Sequence, residues 1–181
     1  EILSQKIPEN INLHFSNSSA IRYAQLFDFQ KNNIYCNRGT SGIDGSTSTA
    51  MGFAMKSPKQ TVLVTGDLSF FYDINGLWNN YIPPYTRIIV FNNGGGDIFK
   101  IIPGPDSTNA LDEFILTKHH KTTELMAKNF GFSYTKVEDE DTLFRVLDNF
   151  FKSDTQPKIL EVNTQGIENA QILKDYFQFL K

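Results

Sequence analysis

The residues best suited to chemistry are an aspartate and an amide-and-glycine turn about two dozen residues further on. Gly66-Asp67 follows the β-branched apolar run Thr61-Val62-Leu63-Val64-Thr65, and Asn92-Asn93-Gly94-Gly95-Gly96 follows a second run, Arg87-Ile88-Ile89-Val90-Phe91. Asp67 offers a carboxylate, Asn93 a side-chain carbonyl and Gly95 a bare backbone carbonyl. Three oxygens of this kind suit Mg²⁺, which takes octahedral oxygen ligands and completes its shell with phosphate and water. Leu68 and Ser69 open a helical stretch whose first N–H groups would face the same phosphates. Each half alone reads as local structure: Asp67 as a helix cap, Asn92-Asn93-Gly94 as a turn. Together, at the ends of two strands joined by one crossover, they argue for a site.

Those strand ends need a sheet to hold them. Strand, crossover helix and parallel strand form one unit over 61–91. Upstream, Ile11 to Phe15 alternates like a short strand, Asn17-Ser18-Ser19 reads as a capped helix start, and Ile34-Tyr35-Cys36 is a second short apolar run. Asn37 to Gly45 holds three glycines and reads as a loop whose backbone approaches something closely, with a small-residue helix after it to about Lys56. Downstream come an irregular stretch from Lys100 to His120 with a short helix near Leu111–Leu116, a helix from Thr122 to Asn129 closed by Gly131, and a strand from Ser133 to Val137. A helix from Asp141 to Phe151, a strand from Lys158 to Val162 and a helix from Ile167 to Leu180 follow, the last with a stripe of Ile172, Leu173, Tyr176, Phe177 and Leu180. This alternation predicts an α/β fold: a doubly wound, mostly parallel sheet with helices on both faces, forming one domain over 1–181. In such sheets ligands sit beyond the carboxyl ends of the strands.

The composition excludes several classes. The chain has 181 residues, 40% of them hydrophobic, and a formal net charge of −3, so no basic face for nucleic acid or membrane is expected. The acidic run Glu138 to Asp141 reads as the cap of the helix after it. No apolar run is long enough to span a membrane. One cysteine, Cys36, forbids an internal disulfide and fits a cytoplasmic, reducing compartment. The chain begins at Glu1 and runs straight into structured-looking sequence, which reads as a fragment of a longer polypeptide.

The pattern Gly-Asp, then Asn-Asn, resembles the thiamine diphosphate (ThDP) fingerprint of the transketolase and decarboxylase superfamily, although Leu68 stands where that family usually has a second glycine. The wider sequence is more specific. Ser16-Asn17-Ser18 with Arg22, the block from Asn37 to Gly45 (NRGTSGIDG), the run GDLSFFYDINGL from Gly66, and NNGGGDIF from Asn92 resemble the C-terminal diphosphate-binding domain of the 2-succinyl-5-enolpyruvyl-6-hydroxy-3-cyclohexene-1-carboxylate synthase family of menaquinone biosynthesis. Gly94 stands where a third asparagine is common.

The resemblance implies a division of labour. Asp67, Asn93 and the Gly95 carbonyl would hold Mg²⁺, with Mn²⁺ as an alternative, and with Gly66, Leu68 and Ser69 would bind the ThDP diphosphate. Ile43 would be the stiff apolar wedge that bends the cofactor. The implied reaction decarboxylates 2-oxoglutarate and adds the succinyl unit to isochorismate. Both substrates carry carboxylates, which arginine binds in a planar fork, so Arg22 and Arg38, with Ser18, would take them. Phe99 and Ile102 would wall the substrate pocket. Arg87, opening a strand, and Arg145, on a helix, read as surface residues. The glutamate that activates the cofactor's pyrimidine ring has no counterpart in this sequence; in the family it belongs to a pyrimidine-binding domain of a second subunit in a homodimer or homotetramer.

The histidines carry less. Adjacent His119 and His120 diverge in direction, so the pair reads as a solvated or substrate-facing loop near Thr117 rather than a metal site, and His14 reads as structural. Cys36 reads as a small buried residue. Another ThDP lyase, such as an acetolactate synthase or a 2-keto acid decarboxylase, would lack the NRGTSGIDG block. A non-catalytic phosphate-binding module would need neither Arg22 nor Arg38. A nicotinamide-dinucleotide domain is unsupported, since no Gly-x-Gly-x-x-Gly follows the first strand.

Overall fold

Six apolar runs become six parallel strands: β1 (Asn12–Phe15), β2 (Asn33–Cys36), β3 (Thr61–Gly66), β4 (Arg87–Asn92), β5 (Ser133–Val137) and β6 (Lys158–Asn163). The computed structural model describes residues 1–179; Leu180, assigned above to the stripe of the last helix, lies outside them. The strands form one sheet in the order β2-β1-β3-β4-β6-β5, and every pairing is parallel. Seven α-helices accompany it: α1 (Ile2–Lys6), α2 (Ser19–Ala24), α3 (Ser46–Ala54), α4 (Asp67–Tyr72), α5 (Glu124–Asn129), α6 (Glu140–Phe150) and α7 (Asn169–Phe179).

Strand side chains alternate between two apolar layers, as a doubly covered parallel sheet requires. Leu13, Phe15, Val62, Val64, Ile89 and Leu160 meet Leu3 of α1, Ile21 of α2 and Leu143, Leu147 and Phe150 of α6. Their neighbours Leu63, Ile88, Val90 and Ile159 meet Ala50 and Met51 of α3, Phe70 of α4 and Ala127 of α5. The fold class read from the sequence is therefore the one observed. The chain leaves β1 toward β2 on one side, while β3 lies on the other. Connections diverge there, and a crevice opens beyond the carboxyl ends of β1 and β3.

Several local expectations change. α1 was not foreseen, being shorter than two turns. Asn17-Ser18-Ser19 does precede α2, but Ser18 has φ +74° and its side chain makes no capping bond. The acidic run does cap α6: Asp139 accepts from the Thr142 N–H at 2.8 Å. Arg87 is not a surface residue. It is fully buried, and its guanidinium donates to the carbonyls of Phe150 (2.6 Å), Lys152 (2.6 Å), Pro84 (2.7 Å) and Thr86 (2.8 Å). These are the loose chain ends at the tail of α6 and before β4, and the planar fork of arginine collects several of them at once. The stripe of α7 is not buried: Ile172 and Phe177 are exposed, and Leu173 and Tyr176 are half-buried, bordering a shallow groove with Ile2 and Phe27.

Candidate functional site

A cleft of about 680 Å³ opens at the carboxyl ends of the strands. Ser18, Arg22, Arg38, Ile43, Gly66, Asp67, Leu68, Ser69, Asn93, Gly95, Phe99 and Ile102 all line it. The strand ends bring them together: residues 17–22 follow β1, 38–43 follow β2, Gly66 ends β3 and 67–69 follow it, and 93–102 follow β4.

Asp67 forms the floor, with only 2% of its surface exposed. Its Oδ1 accepts the Leu68 N–H at 2.7 Å; its Oδ2 accepts those of Gly94 at 2.8 Å and Gly95 at 3.2 Å. Burial pushes the Asp67 carboxyl above the usual carboxylate range, against these N–H groups and the His119 ring, which pull it down. Asn93 Oδ1 accepts the Gly95 N–H at 3.2 Å, bending the turn back over the aspartate. Gly95 has φ +158°, and a Cβ there would lie 2.7 Å from the Leu116 carbonyl, so glycine is required.

The Ile43 loop is held by side chains from three directions. Ser69 Oγ donates to the Ile43 carbonyl at 2.8 Å, Asn17 Nδ2 to that of Gly42 at 3.1 Å, and Asn37 Nδ2 to that of Gly45 at 3.1 Å. Asp73, at the end of α4, receives the Ser48 N–H at 2.7 Å and the Ser48 hydroxyl at 2.6 Å, tying α3 to α4. Arg22 and Arg38 reach the cleft from exposed positions, and Arg38 Nη1 donates to Asn17 Oδ1 at 2.5 Å.

Four supporting roles escaped the sequence reading, although it named Asn92, Asn17 and His119. Asn92 does not share the role of Asn93: it is fully buried, giving Nδ2 to Lys121 O and Glu161 Oε1 (each 2.8 Å) and receiving the Gln165 amide at 2.9 Å and the Gly94 N–H at 3.2 Å. Glu161, also fully buried, takes Asn92 and, on Oε2, the Thr123 N–H and hydroxyl (both 2.6 Å) and Tyr134 OH (3.0 Å). A buried carboxylate survives when it is hydrogen-bonded in this way. Asn17 is the third. The fourth is His119, which is buried beside Asp67, with Nε2 3.3 Å from Oδ2, and not in a solvated loop; His120, next to it, is exposed. No spacing signal announces any of the four, since their partners are distant in sequence.

Comparison with known proteins settles the kinship. Residues 18–162 match the family described as thiamine pyrophosphate enzyme, C-terminal TPP binding domain. The chain belongs to that family. This TPP-binding domain is 48% identical over 178 residues to a 2-succinyl-5-enolpyruvyl-6-hydroxy-3-cyclohexene-1-carboxylate synthase of Christiangramia forsetii, covering 98% of the chain and 31% of the relative. It is 49% identical over 181 residues to the synthase of the same name from Flavobacterium johnsoniae, covering 99% of the chain and 33% of the relative. It thus spans about a third of the length of these curated relatives. The fold is shared with benzoylformate decarboxylase from Polynucleobacter necessarius at a TM-score of 0.76 and 20% identity, over 91% of this chain and 32% of that one.

The donor chemistry of the TPP-binding domain suits a hard divalent cation. Among the described residues, no three His, Cys, Asp or Glu side chains converge into a metal cage. The donors at hand are one carboxylate, one carboxamide oxygen and a backbone carbonyl, the set for Mg²⁺ rather than Zn²⁺. Asp67 Oδ1 accepts a single N–H, from Leu68, which leaves it lone-pair capacity for a cation.

Proposed function

We propose that this chain is the C-terminal diphosphate-binding domain of a multidomain 2-succinyl-5-enolpyruvyl-6-hydroxy-3-cyclohexene-1-carboxylate synthase, which decarboxylates 2-oxoglutarate and adds the succinyl unit to isochorismate. The observation that carries this reading is one cleft that joins the oxygen donors Asp67, Asn93 and Gly95 to the arginines Arg22 and Arg38. Asp67, Asn93 and the Gly95 carbonyl would hold Mg²⁺ or Mn²⁺, and Gly66, Leu68 and Ser69 would bind the diphosphate. Bound ThDP supplies the electron sink for decarboxylation.

The chain's own residues do the rest. Ser69 fixes the carbonyl of Ile43, the residue that would serve as the apolar wedge for the cofactor. Arg38, Arg22 and Ser18 take substrate carboxylates in charge-assisted hydrogen bonds. Phe99 and Ile102 exclude water from the reacting carbon. The pyrimidine-binding domain of a second subunit completes the site in a homodimer or homotetramer.

The test is calorimetric titration of ThDP into the full-length protein, with and without Mg²⁺, beside an Asp67→Ala variant. Metal-dependent binding is expected in the parent and its loss in the variant. Equal binding in both would overturn the assignment.

A further inference from the structure

Residues 116–121 lie across the turn that carries Asn93 and Gly95, and the backbone locks the two together. Gly96 N donates to Leu116 O at 2.7 Å and His119 N donates to Gly94 O at 2.9 Å, while Lys121 O receives the Asn92 amide at 2.8 Å. Thr117, with φ +51°, turns the strap back on itself. A Cβ on Gly94 would lie 3.0 Å from the His119 carbonyl, so the strap also accounts for glycine at this position.

His119 occupies the middle of the strap. Its ring is 5% exposed and stands edge-on to Phe71, with centroids 5.6 Å apart at 86°. Nδ1 accepts the Lys121 N–H at 3.1 Å, which assigns the proton of the neutral ring to Nε2. Nε2 has no hydrogen-bond partner among the described residues, yet it lies 3.3 Å from Asp67 Oδ2. That oxygen already receives Gly94 and Gly95, whereas Oδ1 receives only Leu68. Oδ1 therefore keeps capacity for a cation, while the two turn N–H groups bond Oδ2 and the His119 ring approaches that same oxygen.

We propose that His119 is a positioning residue for the metal site: its Nε2–H, 3.3 Å from Asp67 Oδ2 and without another partner among the described residues, closes onto that oxygen when the cation is held and keeps it to the inner wall, so that Oδ1 is presented to the cation. Partners behind a ligating carboxylate fix its orientation, and their loss typically weakens metal binding 10- to 100-fold. This deepens, and rests on, the metal assignment of Asp67.

The experiment titrates Mg²⁺ into the full-length protein at fixed ThDP and records the thermal midpoint of each metal-free variant. His119→Phe fills the space without a donor; His119→Gln restores an N–H near the Nε2 position. The expected result is an apparent Mg²⁺ affinity at least about 10-fold weaker in His119→Phe, recovered to within about 3-fold in His119→Gln, with metal-free midpoints alike. Equal Mg²⁺ affinity in His119→Phe and the parent would overturn the proposal while leaving the metal assignment intact. A parent whose ThDP binding ignores Mg²⁺ would overturn both. Should His119→Phe fail to fold, ¹⁵N spectra of the parent's histidines decide instead: a protonated Nε2 whose resonance moves on adding Mg²⁺ and ThDP supports the role, and a protonated Nδ1 or an unmoved signal overturns it.

Discussion

Asn17 gives its Nδ2 to the Gly42 carbonyl and takes Arg38 Nη1 on its Oδ1, so one amide touches both the Ile43 loop and Arg38, the arginine proposed to take a substrate carboxylate. The two neighbours should therefore respond differently to mutation. Arg38→Ala should raise KM for 2-oxoglutarate or isochorismate by roughly 10- to 100-fold, the worth of a charge-assisted bond, and leave ThDP affinity unchanged. Asn17→Ala should raise the same KM by about 10-fold and weaken ThDP binding as well, because the loop of Ile43 loses an anchor. Steady-state kinetics beside ThDP titration separates the two. His14 makes a different kind of prediction. Its ring is buried between Tyr35 at 4.8 Å and Phe53 at 5.0 Å, and burial pushes its pKa down to about 4. The unfolded chain protonates this side chain below the ordinary value near 6.5, whereas the folded one resists down to about 4. The stabilising contribution is complete above 6.5 and is lost as pH falls through that window, about 2 kcal/mol of it by pH 5. Urea unfolding at pH 7 and pH 5 should show this slope, and His14→Phe should flatten it.

At the scale of elements, Arg87 fastens the start of β4 to the tail of α6 and the chain beyond it through Phe150 and Lys152. Arg87→Met leaves those carbonyls unpaired and should cost about 3 kcal/mol, seen as a thermal midpoint lower by roughly 6–12 °C. Arg87→Lys should recover little, since an ammonium lacks the fork. The strands, the glycine turns at their ends and the acidic cap of α6 were legible in the sequence because each is local: a β-branched run, a Gly-rich break, an Asp before a periodic helix. Arg87, Glu161 and His119 were not. An arginine opening a strand looks solvated until the carbonyls of residues 150 and 152 arrive beside it. Glu161 sits between Leu160 and Val162, where period-2 alternation assigns a polar residue to an open face; here that face is covered by α5 and carries Asn92 instead. The direction of His119 is set by Thr117 and the three glycines opposite, a tertiary match that no spacing encodes. The same holds for the order of strands, in which β6 inserts between β4 and β5.

For the molecule as a whole, the cleft gathers the proposed cofactor anchors and arginines, but the resemblance gives the pyrimidine-activating acid no place in this sequence. Tyr72, Trp78 and Tyr81 are 69%, 73% and 73% exposed on the segment after β3. The 181-residue chain alone should therefore give no turnover of 2-oxoglutarate and isochorismate in the presence of ThDP and Mg²⁺, while the full-length protein does; activity of the isolated chain would refute the division of the site between subunits. The sheet order has one more effect, on biosynthesis. β4 pairs with β6, so a ribosome must release α5, β5 and α6 before the inner edge of β4 finds its neighbour. Until then Asn92 lacks Glu161, Arg87 lacks its far carbonyls, and an apolar strand edge stands open to other nascent chains. The turn of Asn93 and Gly95 is thus among the last parts of this domain to mature, and a stalled chain ending before β6 is a client for chaperones rather than a partly formed site.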